Sequence, residues 1–149
     1  MKPKILFILH LPPPIHGAAM MGKYIQESEL VNSSFDCFCI NLATAGSLSD
    51  IGHISLKKLL KYFFLLKHIS HVVREIRPEL VYITPNAGGK AFFKDFIVVQ
   101  MLKSMGCKVI AHYHNKGVSV YQSKWVYNFF YKQGFILLNI IQEQTFNLS

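Results

Sequence analysis

The sequence predicts an α/β fold, a single domain built on a doubly wound parallel sheet. Three observations carry this. Five short apolar segments rich in Ile, Val, Leu and Phe recur along the chain, helix-favouring segments separate them, and the connections are short and marked by Pro, Gly and Asn. Near-continuous apolar strands are those covered on both faces, as in a parallel sheet between helix layers. With 149 residues, 51% of them hydrophobic, there is material for one well-filled core, and residues 1–149 are expected to form one domain.

Ile5 to Leu11 reads as the first strand, broken by Pro12-Pro13-Pro14 and His16-Gly17. Ala18 to Glu27, with Ala, Met, Lys, Gln and Glu, favours a helix. Phe35 to Leu42 is a second, β-leaning strand, and Thr44 to Gly52 is a Gly/Ser/Asp-rich loop. From Ser55 to Arg77 the period lengthens to that of a long helix, with Leu56, Leu59, Leu60, Phe63, Leu66, Val73 and Ile76 at three-to-four spacing and Pro78 as its stop. Leu80 to Thr84 is a third strand and Pro85 to Gly89 its loop. Ala91 to Met105 is a helix closed by Gly106, the residue suited to a left-handed cap. Cys107 to Tyr113 makes the fourth strand, Tyr121 to Gln133 an aromatic helix stopped at Gly134, and Phe135 to Ile141 the last strand.

The composition narrows the functions. Sixteen Lys and Arg against eight Asp and Glu give a net charge of +8 and favour phosphates, acidic sugars or an anionic membrane face as partners. No helix-turn-helix, RNP, KH or zinc-finger pattern is present, so nucleic acid is not an expected partner. Apolar runs are cut by Lys61, Lys67, Gln100 or Asn139 before the roughly 18 residues that a membrane span needs. The start, with its short apolar run ending in His10 and prolines, reads as a buried strand and not as a signal peptide. Cys37, Cys39 and Cys107 form no C-x-x-C pair and read as small core residues, which fits a reduced, cytoplasmic setting.

In open parallel sheets ligands bind beyond the carboxyl ends of the strands, and three loops belong to that edge: Pro12 to Gly17, Pro85 to Lys90 and His112 to Gly117. The first enters a helix at Gly17-Ala18, where unbonded backbone N–H groups and the positive dipole end receive a phosphate or carboxylate. Gly17 to Lys23 also spells G-x-x-x-x-G-K, but Tyr24 follows where a P-loop has a small hydroxyl. His112 and His114 end the fourth strand on one face, beside Asn115 and Lys116, as an acid/base pair or polar clamp. They are too few for a metal site, and no metal is expected. Asn86 and Lys90 add an amide and an ammonium. The eight Asp and Glu supply no carboxylate cluster near these loops, so neither a Ser/His/Asp set nor a carboxylate pair is expected.

Lys4-Ile5-Leu6-Phe7 leading into Pro12-Pro13-Pro14-Ile15-His16-Gly17-Ala18-Ala19, then Val81-Tyr82-Ile83, then Lys108 to Gly117 with its His-x-His-Asn strand end, resembles the N-terminal half of bacterial GT-B glycosyltransferases of the group-1, family-four type. The resemblance implies a Rossmann-like domain that mainly holds the acceptor, facing a second domain that holds the nucleotide-sugar. It implies transfer, usually with retention, of a sugar to a saccharide or lipid-linked acceptor in cell-surface polysaccharide synthesis, with no cofactor beyond the nucleotide-sugar substrate. Gly17 and Ala18 match the loop that approaches the donor diphosphate, and His114 matches the histidine near the transferred sugar. His16, Asn86, Lys90, His112, Asn115 and Lys116 are the expected acceptor contacts. The donor half has no counterpart in this chain, so the expectation is no appreciable turnover alone, with that half a candidate separate partner chain. The alternative is a nucleotide- or phosphate-binding or membrane-docking module without catalysis.

Two surface expectations follow. The basic helix Ser55 to Arg77 is expected either to be a solvated face or to hold the domain peripherally at the inner leaflet of the cytoplasmic membrane. The aromatic segment Trp125 to Tyr131 or the strand Phe135 to Ile141 is expected to drive self-association of the isolated chain.

Overall fold

A computed structural model describes residues 1–13, 15–42, 56–113, 121, 123–135 and 139–142. Its elements in chain order are β1 (Lys4–Leu9), α1 (Gly17–Glu27), α2 (Glu29–Ser34), β2 (Asp36–Asn41), α3 (Leu56–Ile76), β3 (Leu80–Ile83), α4 (Gly89–Ser104), β4 (Val109–Tyr113), α5 (Trp125–Phe135) and β5 (Asn139–Gln142). The five strands form one sheet in the order β2-β1-β3-β4-β5, and every pair is parallel. This is the α/β, Rossmann-like architecture the apolar runs imply.

Strand alternation divides the core. Leu6, Ile8, Val81, Ile83, Val109 and Ala111 point to one face, where Ile69 and Val73 of α3 and Phe92, Val98 and Leu102 of α4 cover them. Ile5, Phe7 and Leu9 point to the other face, against Ile25 of α1 and Val31 of α2. The chain is therefore wound on both faces, and the direction of winding reverses between β1 and β3. α5 seats its Tyr127 and Phe130 on α4, with ring centroids 5.1 Å apart for Phe92–Tyr127 and 5.0 Å for Phe96–Phe130.

Several boundaries differ from the sequence reading. α2 is additional; Ser28 caps it by accepting from the Val31 N–H at 3.4 Å, and Glu29 favours its positive end. Gly134 does not stop α5, which continues to Phe135, and the last strand starts at Asn139. Unbroken apolar runs carry no period by which to separate strand from helix. Gly106 does close α4: at φ +77° it donates to the Lys103 carbonyl at 2.9 Å while Cys107 donates to Leu102 at 3.1 Å, a Schellman pair.

Gly22 is a packing requirement and not part of a phosphate loop. A Cβ there would overlap the carbonyl oxygen of His10, because α1 lies directly on the chain leaving β1. Lys23 is turned outward to Glu27 at 3.8 Å. Gly17, by contrast, has open space around it. Gly22→Ala should therefore cost about 2 kcal/mol in urea unfolding, the usual scale of an overpacked contact, while Gly17→Ala should stay within about 0.5 kcal/mol of the parent. Equal midpoints for the two variants would contradict this seating of α1.

Candidate functional site

The winding reversal at β1/β3 opens a crevice beyond the carboxyl ends of those strands, the place where doubly wound sheets bind ligands. β1 delivers His10 there. β3 runs on through Thr84, which donates to the Ile8 carbonyl at 3.2 Å, and delivers Asn86. α4 contributes Asp95 from its second turn, with no solvent exposure.

These three residues form one connected group. The Asp95 Oδ2 accepts the Asn86 backbone N–H at 2.9 Å and the Asn86 Nδ2 at 2.7 Å. The same Nδ2 lies 3.2 Å from the His10 Nε2, and the His10 Nε2 is 4.0 Å from the Asp95 carboxylate. A carboxylate neighbour fixes the amide orientation, since the opposite one would set two oxygens against each other. With Nδ2 donating, the His10 Nε2 accepts and the ring proton sits on Nδ1. Lys94, 3.6 Å from the Asp95 Oδ1, balances the buried charge. Burial and then the Asp95 charge push the Tyr62 phenol well above its ordinary value. It thus stays a donor, bonding the Lys94 carbonyl at 2.6 Å and tying α3 to α4.

The first turn of α1 borders this group. His16 caps the helix, its Nδ1 accepting from the Ala19 N–H at 3.3 Å, which leaves the ring proton on Nε2. Its ring stands edge-on to that of His10, with centroids 6.1 Å apart. Gly17 and Ala18 precede the first helical bond, from Met20 to the His16 carbonyl, so their N–H groups have no intrahelical acceptor. The loop from β1 is held by Asn41 at the end of β2, whose Oδ1 accepts from the Leu11 N–H at 3.1 Å and whose Nδ2 donates to the Leu11 carbonyl at 3.5 Å.

Of the residues singled out from sequence, His16, Gly17, Ala18 and Asn86 lie around this crevice, and Lys90 is exposed in the first turn of α4. His112 is buried at the end of β4 on the α1-bearing face, its Nδ1 joined to the Tyr82 hydroxyl. His114, Asn115 and Lys116 lie outside the described residues. No carboxylate cluster was expected at these loops; the structure brings a single carboxylate there, Asp95, which the turn after β3 returns to Asn86 nine positions earlier. His10, Asn41 and Asp95 were missed altogether. The one available signal was an acidic residue, next to Lys94, inside the otherwise apolar stretch Phe92 to Val99.

Among the described residues no group of three His, Cys, Asp or Glu side chains could hold a metal ion, and no helix is long and apolar enough to cross a membrane. All three cysteines are free. Burial pushes each thiol above its ordinary value, and Cys39 lies exposed on β2 where a core position was expected. No protein-family model, curated protein or solved structure matches the chain.

Asp95→Ala strands two donors of Asn86 and uncouples α4 from the crevice. A loss of about 3 kcal/mol in urea unfolding is expected, the scale of breaking a buried charge-assisted group. A loss under about 1 kcal/mol would contradict the role assigned to this carboxylate.

Proposed function

We propose that this chain is the acceptor-side domain of a glycosyltransferase, which brings a saccharide or lipid-linked acceptor and a nucleotide-sugar together at the β1/β3 crevice. The observation that carries the reading is the His10–Asn86–Asp95 group at the winding reversal, set beside the capped but otherwise open first turn of α1.

The chemistry suits those ligands. The unbonded N–H groups of Gly17 and Ala18 sit at the positive end of α1 and favour the oxygens of a diphosphate. Asn86, its Nδ2 committed to Asp95 and His10, offers its Oδ1 to a sugar hydroxyl. The Nε2–H of His16 is an imidazole donor in the same place. Lys90, exposed in the first turn of α4, adds a positive charge on the acceptor side. The strand-end match to Lys108 through Gly117 assigns His114 to the transferred sugar, and Asn115, Lys116 and His112 to the acceptor side.

Amide chemical shifts of the full chain, titrated separately with UDP-glucose, GDP-mannose and a mixed oligosaccharide, test this. Nucleotide-sugar should shift the amides of Gly17 to Met20, and saccharide those of Asn86 to Lys90, with dissociation constants near 1 mM, about 4 kcal/mol of binding. Asn86→Ala should weaken the saccharide response at least about threefold, under 1 kcal/mol. Shifts from the nucleotide alone would convert the reading to a phosphate-binding module. No shift at this edge from any of the three would overturn it.

A further inference from the structure

α3 has two apolar faces. Through Tyr62, Leu66, Ile69 and Val73 it packs on the sheet. On the opposite side Leu56, Leu59, Leu60, Phe63 and Phe64 are each more than half exposed, reaching 74% at Leu56 and 65% at Phe64. At 3.6 residues per turn these five fall within an arc of roughly 140° facing away from Ile69. The sequence reading grouped Leu56, Leu59, Leu60 and Phe63 with Leu66, Val73 and Ile76 by their three-to-four spacing alone; the structure divides that group, because a helix apolar on both sides offers two stripes of equal period.

The exposed arc is fringed by a single sign of charge. Lys67 is exposed within it, its Nζ 4.8 Å over the Phe63 ring, and Lys61 is exposed about 60° beyond its edge. The one acidic residue of α3, Glu75, lies at the far end and is paired with His71 at 3.5 Å. The neighbouring helices of the same layer continue the pattern: Phe93 and Ile97 of α4 and Trp125 and Phe129 of α5 are exposed, while the only carboxylate of those two helices is the buried Asp95.

We propose that this helix layer docks on the surface of an anionic lipid bilayer. α3 lies along the interface, Leu59, Leu60, Phe63 and Phe64 enter the headgroup boundary, and Lys61 and Lys67 meet lipid phosphates. An apolar ridge with lysines and no exposed carboxylate beside them is complementary to such a surface. A second copy of the chain is a poorer occupant, since a twofold axis through this face would bring the lysines of both copies together. No described helix can cross the bilayer, so the contact is peripheral. The proposal rests on the α3 surface alone and stands or falls independently of sugar transfer.

Co-sedimentation of the full chain with phosphatidylglycerol/phosphatidylcholine vesicles, and with phosphatidylcholine vesicles alone, tests it. The single tryptophan, Trp125, 81% exposed on the same layer, supplies a second readout. Binding should be at least about tenfold tighter to the anionic vesicles at 0.1 M salt, with a blue shift of Trp125 emission. It should weaken at 1 M salt, as the Debye length falls from about 10 Å to about 3 Å. Lys61→Glu with Lys67→Glu should weaken it at least about thirtyfold, from roughly fivefold for each lysine removed. Phe63→Ser with Phe64→Ser should lose about tenfold or more, with circular dichroism verifying the fold of both variants. Equal partitioning of the lysine variant and the parent onto anionic vesicles at low salt would overturn the proposal. So would a solution dimer, dissolved by the phenylalanine variant, that binds no vesicle; the face would then belong to a second copy.

Discussion

A carboxylate with no access to solvent must find its donors within the protein, and Asp95 finds them in Asn86. That requirement joins α4 to the exit of β3 and, through the amide of Asn86, to His10 at the exit of β1. Lys94, beside the same carboxylate, reaches the Leu42 carbonyl at 3.5 Å, while its own carbonyl accepts from Tyr62 of α3. One buried charge thus sets the relative position of two strand ends and two helices. Replacing it would disturb the crevice before it disturbed the sheet, whose ladders lie deeper in the domain.

The other wall of the crevice is set by backbone approach. Gly22 lets α1 rest on the His10 carbonyl, and Asn41 holds the Leu11 backbone by both its polar groups, so Pro12 and Pro13 leave β1 along a defined path. His16 then begins α1 with its own ring as cap. A ligand held there would meet donors whose positions are fixed before it arrives, which lowers the ordering cost of binding. The two walls belong to opposite helix layers and meet only at the winding reversal.

Much of this architecture could be read from the chain. Runs such as Ile5 to Leu9 and Leu80 to Ile83, short and bounded by turn residues, read as strands covered on both faces, and Gly106 closed its helix as its conformational freedom suggests. The loops at Pro12 to Gly17 and Pro85 to Lys90 did come to the same sheet edge. Asp95 was hidden because its partner is nine residues back across a turn, a spacing with no local period, and because counting carboxylates for a cluster overlooks what one can organise. His10 was hidden inside the run Ile5 to Leu11 that reads as the first strand, whereas β1 ends at Leu9. The core side of α3 was not legible for a different reason: when both sides of a helix are apolar, period alone does not say which side meets the sheet.

The central claim is that Asn86 and Asp95 act as one unit at the crevice. A double-mutant cycle on unfolding free energy, with Asn86→Ala, Asp95→Ala and the double variant, tests it most directly. The account predicts a coupling of about 1.5 kcal/mol or more, the double variant losing much less than the sum of the single ones, because either change alone strands the other partner in the interior. Additivity within about 0.5 kcal/mol would contradict it, leaving two independent residues where the structure has one bonded group.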